Sequence, residues 1–465
     1  MSILSQIGYS GVRASQIALT ATGQNIANVN TPGFSRLAPE QHALGGQTPT
    51  GIGGGVQVTS IRRLASEFQN QQLWRATTEK QYYGTTQQYL GALEGLVDSE
   101  GSSISVGLDN FYAALSEASS TPESIALRQQ ILGEARQLAQ RFNGLNGNIG
   151  IQLEALEGQR VSMVSEINGL ASNIADLNKQ ILEMESSGRD TATLRDYRDN
   201  LVKDLSQFVG IRVQGAADGS LTVALANGQP LVAGSTAGTL KVGENLAGEQ
   251  QLSLVFAKTS FPLVQEGLGG SLGGLYDMEY GALRPAQADL HDMAGALAQR
   301  VNDTLATGYD LDGNPGQPLF SYDASSTSAL LTVNALSTRQ LAFSAQAPGM
   351  DANGQPVPVV GDNQVLLALL ETKAAKISVA GDLVPLNDAY AGLVGRIASA
   401  SRQNQADLAA TTVVAEQAQA QRDSVSAVNL DEEAANLMAY QQAYQANMKV
   451  IGTSNELFNA VLAMF

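Results

Sequence analysis

The chain has 465 residues, 43% of them hydrophobic, so it can bury a core and is too long for one ordinary domain. Its formal net charge of -17, from 44 acidic and 27 basic residues, disfavours binding to the phosphate backbone of nucleic acids. It has no cysteine and two histidines, His42 and His291, which excludes disulfides, thiol nucleophiles and cysteine-based zinc sites. We therefore expect neither a metal centre nor a cofactor site.

The N-terminal segment has the spacing of one helix in a packed bundle. Apolar and small residues recur every three or four positions in a stripe that consists of Ile3, Ile7, Ser10, Ala14, Ile17 and Ala21. The sequence NTPG at residues 30–33 ends the pattern. Arg13 and Arg36 are the only charged residues before Glu40, so this helix lacks stabilising salt bridges and is expected to need neighbours.

The start of the chain has no basic residues followed by an apolar core, and no stretch approaches the length that spans a bilayer. We therefore expect neither a cleaved signal peptide nor a membrane helix. Cytoplasmic proteins share this pattern with chains exported uncleaved through a dedicated channel, and composition does not separate the two.

The next region is predicted to be helical over residues 62–97, 104–118 and 122–208. Glycines are expected to interrupt the last of these near residues 144–150 and at Gly188. From residue 153 to residue 184, apolar residues keep a heptad spacing, which is typical of long helices that pack side by side.

The apolar period changes to two after Gly210, which predicts strands. Alternating runs begin at Ile211, Leu221 and Leu252. The dipeptide Asn227-Gly228 is a hairpin signal between two of these runs. A small β domain is therefore predicted here.

Helical spacing returns over residues 284–306 and 386–424, on either side of a stretch rich in Pro, Gly and Asp. A last helix is predicted after Asn429, a candidate N-cap that the acidic residues 431–433 follow. Its heptad stripe consists of Leu430, Ala434, Leu437, Gln441, Tyr444, Met448, Ile451, Asn455, Phe458, Leu462 and Phe465. Both terminal stripes carry few charges, which favours an interface between molecules, and an ordinary core is the alternative.

These patterns predict a mainly α protein, a long helical bundle or coiled-coil rod with paired N- and C-terminal helices and a small inserted β domain. The predicted domains are a terminal helical assembly domain (1–60 and 425–465), a helical rod domain (61–208, 265–310 and 365–424), an inserted β domain (209–264) and a small loop or β insertion (311–364). Such nesting brings the two ends of the chain together.

Two glycine-rich motifs invite a catalytic or phosphate-binding interpretation. The sequence GGSLG at residues 269–273 fits the nucleophile turn of serine hydrolases, with Ser271 as the nucleophile. The downstream histidine, His291, lies in a predicted helix, whereas triad members come from separate loops. A turn into a helix is favoured, and a serine hydrolase is the alternative from another functional class. The glycines of residues 51–55 lack the Lys and Ser/Thr of a phosphate loop.

Asp310, Asp312 and Asn314 match the opening of an EF-hand calcium loop. The match then fails, because Pro315 takes the place of the required glycine and Ser321 that of the required glutamate. A polar turn stabilised by Asx side chains is the favoured interpretation, and calcium binding is the alternative.

Two motifs at opposite ends of the chain carry a resemblance to flagellar proteins. Residues 24–36, QNIANVNTPGFSR, resemble the N-terminal signature of flagellar rod, hook and junction proteins. Residues 428–437, VNLDEEAANL, and their continuation to residue 451 resemble the matching C-terminal signature. The long helical middle, which ends in LRDYRDNL at residues 194–201, resembles the flagellar hook-associated protein 1 family, the first hook–filament junction proteins.

The resemblance implies export through the flagellar type III apparatus without a cleaved signal peptide, after a cytoplasmic chaperone has covered the C-terminal helix. Outside the cell the chain would cap the hook, contact the hook protein and further copies of itself, and accept the second junction protein. No enzymatic activity, cofactor, nucleic-acid binding or membrane insertion is implied.

The candidate assembly residues lie in the two terminal segments. In the N-terminal segment they are Ile3, Ile7, Ala14, Ile17, Ala21, Asn25, Asn28, Asn30, Thr31, Pro32, Gly33 and Phe34. In the C-terminal helix, where they would also bind the chaperone, they are Asn429, Leu430, Leu437, Tyr444, Met448, Ile451, Phe458, Leu462 and Phe465.

A hook or distal rod subunit shares both terminal signatures and is the nearest alternative, although the long helical middle disfavours it. A filament subunit lacks support, because the TPGF signature at residues 31–34 belongs to the other axial proteins. We expect the terminal helices to fluctuate in the monomer and to become ordered when they pack against neighbouring subunits.

Overall fold

The computed structural model describes residues 3–45, 53–245, 250–347, 349–352, 356–357, 359 and 361–464. They form two compact units, each built from separate parts of the chain. Unit 1 is drawn from Met1–Tyr82, Met163–Gly270 and Ala410–Phe465, and unit 2 from Tyr83–Ser162 and Ser271–Ala409. The four-domain division drawn from the sequence stays a prediction.

Helices dominate the described residues, which confirms the predicted mainly α class. They are α1 (Ile3–Ala27), α2 (Glu67–Asp98), α3 (Ile104–Ala118), α4 (Ile125–Ser186), α5 (Ala192–Phe208), α6 (Gly270–Met278), α7 (Arg284–Leu305), α8 (Gln364–Glu371), α9 (Leu386–Ser426) and α10 (Leu430–Leu462). The helices predicted over residues 104–118, 284–306 and 386–424 are confirmed to within two residues.

Helix α4 continues through residues 144–150, so the interruption predicted there is wrong. Asn146 lies in this stretch and Asn143 directly precedes it, and their side chains bind backbone groups of residues 326–331 in unit 2. Such tertiary contacts outweigh the weak helix propensity of the glycines.

The interruption predicted at Gly188 is confirmed. Gly188 follows the end of α4 with φ +67°. Its N–H donates to the Glu185 carbonyl at 2.9 Å, and the Arg189 N–H donates to the Met184 carbonyl at 3.0 Å. This is the Schellman arrangement, which satisfies the last carbonyls of a helix and needs a residue that tolerates positive φ.

The strands pair antiparallel in small sheets. They are β1 (Leu37–Leu44), β2 (Gly55–Arg63), β3 (Ile211–Gly215), β4 (Leu221–Leu225), β5 (Pro230–Ala233), β6 (Thr236–Ala237), β7 (Thr239–Glu244), β8 (Gln250–Phe256), β9 (Thr259–Pro262), β10 (Phe320–Tyr322), β11 (Leu331–Val333), β12 (Gly349–Met350), β13 (Pro356–Val357), β14 (Lys376–Val379) and β15 (Asp382–Pro385). The sheet orders are β1-β2, β3-β4-β5-β6, β7-β8-β9, β10-β11, β12-β13 and β14-β15.

The predicted inserted β segment is confirmed as the two sheets β3-β4-β5-β6 and β7-β8-β9. Asn227-Gly228 lies in the turn between β4 and β5, and Gly228 has φ +89°. Pairing of β2 with β1 extends to Arg63, so the helix predicted from residue 62 begins instead at Glu67.

Helical asparagines tie the helices to the strands. In five pairs among the described residues, an asparagine amide donates to the carbonyl of a strand residue and accepts that residue's N–H, at 2.7–3.0 Å. The pairs are Asn25 with Leu37, Asn143 with Leu331, Asn168 with Leu240, Asn178 with Leu221 and Asn302 with Phe320. Each pair satisfies backbone groups that would otherwise be unpaired near a strand end.

Unit 2 contains an ion pair that is wholly shielded from solvent. The side chains of Arg160 in α4 and Glu279 are both 0% exposed and form a salt bridge. Arg284 Nε donates to the same carboxylate at 2.8 Å. Glu279 begins a π-helical turn, Glu279–Leu283, between α6 and α7.

Candidate assembly interface

Helices α1 and α10 form an antiparallel pair within unit 1, which confirms the predicted pairing of the terminal helices. The helices approach closely at two glycines of α1. A methyl group added at Gly8 would lie 2.8 Å from Ile451 Cγ1, and one at Gly11 would lie 2.4 Å from Asn447 Oδ1. A side chain at either position would force Ile451 or Asn447 to shift, because real Cβ contacts are longer.

The buried face of α1 is made of small residues rather than of the predicted apolar stripe. It consists of Gly8, Gly11, Ala14, Ser15, Ala18, Ala21, Thr22 and Asn25. Of the predicted stripe, Ala14 and Ala21 are buried, Ile7 and Ile17 are half-buried, and Ile3 is exposed. The contact face is therefore rotated toward the side where small residues allow close packing.

The face of α10 toward α1 is also offset from the predicted stripe. Leu437, Tyr444 and Ile451 are half-buried, and Glu433 and Ser454 are the buried residues of this helix. The other predicted apolar positions are 47–59% exposed and comprise Leu430, Met448, Phe458 and Leu462. Phe465 lies outside the described residues.

The outer surface of the pair carries further apolar side chains. They are Leu4 and Tyr9 on α1, and Met438, Leu457 and Val461 on α10. Exposed large apolar side chains in such number are typical of surfaces that bind other proteins. The predicted N-cap of α10 is confirmed, since the Asn429 side chain accepts the Asp431 N–H at 3.0 Å.

The signature after α1 folds as a tight turn over Thr31–Phe34. The Phe34 N–H donates to the Thr31 carbonyl at 3.2 Å. Pro32 stands at the second position and Gly33, with φ +77°, at the third, as in a type II turn. Asn28 supports the turn, because its Oδ1 accepts the Thr31 hydroxyl at 3.2 Å.

The signature flanks the turn with one exposed and two packed residues. Asn30 is exposed, whereas Asn25 is buried and pairs with the first residue of β1. Phe34 packs against a cluster of Ala21, Leu37 and Ala192. Signature residues thus hold the hairpin β1–β2 and helix α5 to α1.

The motif LRDYRDNL on α5 meets the signature turn. Asp196 Oδ2 accepts the Ser35 N–H at 2.9 Å, and Asn200 Nδ2 donates to the Pro32 carbonyl at 3.3 Å. A methyl group at Gly33 would lie 1.9 Å from Asn200 Oδ1, so this contact requires glycine.

Arg63 at the end of β2 binds two carboxylates of α5. Its Nε lies 3.0 Å from Asp196 Oδ1, and its guanidinium also pairs with Asp199. Asn70 Nδ2 donates to Asp199 Oδ2 at 3.0 Å. Burial raises the pKa of the Asp196 carboxyl above its ordinary value, and Arg63 and the Ser35 N–H oppose that shift.

The end of α9 and the start of α10 complete the contacts of the signature. Arg422 donates to the Gly33 carbonyl at 2.8 Å, and the Arg36 N–H donates to the Ser426 carbonyl at 2.8 Å. The Arg36 side chain pairs with Glu432 and lies 3.5 Å from Glu433. Three segments that are distant in sequence therefore converge on residues 32–36.

The residues weighed as catalytic or metal-binding lie in helices and in a turn. Ser271 lies in the first turn of α6 and is buried, as the favoured interpretation predicts. His291 Nε2 lies 3.0 Å from Asn146 Oδ1, and no hydrogen bond among the described residues joins it to Ser271. Asp310 Oδ1 accepts the backbone N–H groups of Asp312 and Asn314, which is an Asx turn.

The part of the chain that the structure describes contains no candidate metal site and no candidate membrane span. There, no group of three or more His, Cys, Asp or Glu side chains has an arrangement that could hold a metal ion. Nor is any helix of that part long and apolar enough to cross a bilayer. Gly51 and Ile52 of the glycine-rich segment lie outside the described residues.

Sequence profiles of three families match this chain. The profile described as the flagellar hook-associated protein FlgK helical domain matches residues 90–320. Those described as the flagellar basal body rod FlgEFG protein C-terminal and the flagella basal body rod protein match residues 419–464 and 6–34. Flagellar hook-associated protein 1 of Salmonella typhimurium is 28% identical, over 99% of this chain and 100% of the relative. The chain belongs to the flagellar hook-associated protein 1 family.

Two further comparisons agree with membership of this family. Flagellar hook-associated protein 1 of Bacillus subtilis is 25% identical over 97% of this chain and 95% of the relative. The solved structure of the flagellar hook junction protein FlgK from Burkholderia pseudomallei matches 77% of this chain and 100% of that chain, with a TM-score of 0.68 at 19% identity. The latter likeness shows a common fold.

The profile boundaries divide the candidate interface. Helices α1 and α10 fall in the parts that match the basal body rod profiles, whereas the α5 motif falls in the part that matches the helical domain of hook-associated proteins. The contacts at residues 32–36 therefore join a segment type shared among axial flagellar proteins to one characteristic of this family.

Proposed function

We propose that this chain is a structural subunit of the bacterial flagellum that forms the junction between hook and filament. The observation that carries the proposal is the antiparallel pair α1–α10, whose inner contacts are made by small residues and whose outer surface exposes large apolar side chains. Burial of each such side chain against a neighbouring subunit contributes about 1.5–3 kcal/mol, so several together stabilise an assembly. Both helices are formed in the structure of the single chain, and we further propose that they fluctuate in the monomer and become ordered as neighbouring subunits pack against them.

The partners follow from this position. Further copies of the chain cover the outer surface of the pair, the hook protein lies below, and the second junction protein is accepted above. We further propose export through the flagellar type III apparatus without a cleaved signal peptide, with a cytoplasmic chaperone on the exposed apolar side of α10. The mature protein then lies outside the cell and has no catalytic role.

Charge substitutions on the outer surface test the assembly role of α10. Phe458→Asp and Leu462→Asp place a carboxylate where a neighbour would bury an apolar side chain, at positions that are both 59% exposed in the chain itself. Gln442→Asp is the matched control, because it adds the same charge at an exposed polar position of α10. Loss of filaments with the first two variants and not with the control supports the proposal, and normal filaments with all three contradict it.

Electron microscopy of cells that lack the gene tests the function as a whole, together with an assay for filament subunit in the medium. Hooks without filaments, with filament subunit leaking into the medium, are the expected result. Missing hooks would favour a rod or hook subunit, which the matches to basal body rod profiles make the second candidate. Normal flagella would overturn both.

A further inference from the structure

The motif LRDYRDNL at residues 194–201 has no function assigned to it by the assembly role described above. Asp196 and Asn200 bind the signature turn, and Arg198 binds the turn between β3 and β4. Arg198 donates to Asn178 Oδ1 at 2.9 Å and to the Gly219 carbonyl at 2.8 Å. Helix α5 therefore holds the β segment on one side and the terminal helices on the other.

We propose that Asp196 and Asp199 of α5, together with Arg63, are positioning residues that hold the terminal helix pair in the arrangement needed for assembly. The contacts of these three residues with one another and with Ser35 are named the signature latch. The claim that these residues hold the helix pair in place does not depend on the proposed function. The claim that they are needed for assembly rests on it.

The geometry of the turn supports a docking role rather than an incidental contact. The turn offers the Pro32 carbonyl, the Gly33 carbonyl and the Ser35 N–H, and each is bound by a side chain from elsewhere in the chain. The partners are 168, 389 and 161 residues away in sequence. Two features favour glycine at position 33. Its φ is positive, and the Asn200 side chain lies where a methyl group at this position would be.

The charges of the latch are mutually dependent. Asp196 is 6% exposed, and a carboxylate so shielded from water needs compensation by a cation and hydrogen bonds. Arg63 supplies it for Asp196 and Asp199 together. Neutralising Asp196 removes the strongest acceptor of the Ser35 N–H and loosens the connection between α5 and the residues that follow α1.

Hydrogen exchange on the purified full chain measures the latch directly. In Asp196→Asn we expect amides of residues 3–36 to exchange about 10- to 100-fold faster, the range set by loss of a buried hydrogen bond to a charged group. Amides of strands β3–β9 and of unit 2 are expected to keep wild-type rates. The matched control is Asp204→Asn, because Asp204 is an exposed carboxylate on the same helix.

Fluorescence of Trp74, the chain's single tryptophan, checks that each variant folds. Trp74 is buried beside a cavity of about 640 Å³ that Arg63 and Asp199 also line. If Asp196→Asn fails to fold, Asp199→Asn replaces it, since Asp199 belongs to the latch and its side chain is 17% exposed against 8% for Asp196. Arg63→Lys keeps the charge and is expected to restore part of the protection that Arg63→Met loses.

Complementation of a strain that lacks the gene measures the effect on assembly. We expect Asp196→Asn to be secreted and to support about tenfold fewer filaments than Asp204→Asn. Equal exchange of residues 3–36 in the two variants would refute the latch itself. Faster exchange with normal filaments would refute its role in assembly and leave the proposed function standing. A deletion strain with normal flagella would instead refute the proposed function.

Discussion

Replacing a single glycine of α1 tests whether close packing of the terminal helices stabilises unit 1. Gly8 faces α10, and a methyl group there would lie 2.8 Å from Ile451 Cγ1 and 3.3 Å from the Asn447 carbonyl oxygen. Gly23 lies on the same helix, is exposed, and has no atom within 4 Å of the equivalent methyl position. Gly8→Ala and Gly23→Ala therefore make the same chemical change in two different surroundings.

Two free-energy contributions of opposite sign act at these positions. Alanine favours a helix over glycine by about 1 kcal/mol, and both variants gain this term. Gly8→Ala also overpacks the contact with Ile451, which costs about 1–3 kcal/mol. The two variants should thus differ by about 1–3 kcal/mol in the free energy of opening the pair, or about 5- to 150-fold in amide exchange protection.

Hydrogen exchange of α1 and α10 in the purified chain measures this difference. Gly23→Ala should slow exchange slightly, and Gly8→Ala should accelerate it in both helices. Equal protection in the two variants would refute the close antiparallel contact. Faster exchange confined to α1 in Gly8→Ala would show that α1 is strained without bearing on its partner.

Three further results are expected. Asn25→Ala should lower the free energy of unfolding by about 1–3 kcal/mol, because it strips the partners from buried backbone groups of β1; thermal denaturation measures it. Arg160→Met should cost about 3–5 kcal/mol by leaving the Glu279 charge buried with less compensation, and Arg160→Met with Glu279→Leu should recover most of that in denaturant titrations. Burial holds the pKa of His291 below its ordinary 6.5, so acidification through that value should destabilise the wild type more than His291→Gln.

Each of these predictions would be contradicted by a specific outcome. Unchanged melting in Asn25→Ala would mean that water replaces the lost amide. A double variant as unstable as Arg160→Met would mean that the loss of stability does not come from the uncompensated charge of Glu279. The sign for His291 follows from linkage: the unfolded chain binds the proton more tightly than the folded one, so stability is present above the unfolded pKa and is lost as pH falls. Identical pH profiles would remove the histidine as the cause.

Local signals predicted the helices well where they agreed with the tertiary environment. The heptad stripe and the Asn429 cap located α10, and the spacing of residues 104–118 gave the limits of α3. The spacing misjudged residues 144–150, where Asn146 is bound by the carbonyls of residues 326 and 327, far away in sequence. Such contacts cannot be found from local pattern alone.

The inner face of the terminal pair was missed for a different reason. Apolar periodicity selects large side chains, whereas the contact uses Gly8, Gly11 and Ala18. The three-four spacing of small residues along α1 was present in the sequence and could have indicated close helix packing. The contact between residues 31–36 and residues 194–201 could not be predicted from the sequence, because nothing in either motif indicates which other segment it binds.

The sequence separation of the contacts made by the signature sets the order in which unit 1 can form. Arg36 and Glu432 pair across 396 residues, so a chain that emerges N-terminus first must hold its signature open until nearly all of it has emerged. Closing so long a loop costs about 5 kcal/mol in chain entropy, a price that rises little with further length. The inner face of α1 is mostly Gly, Ala, Ser and Thr. Before it pairs with α10, this face therefore exposes few large apolar side chains that could bind other chains and cause aggregation.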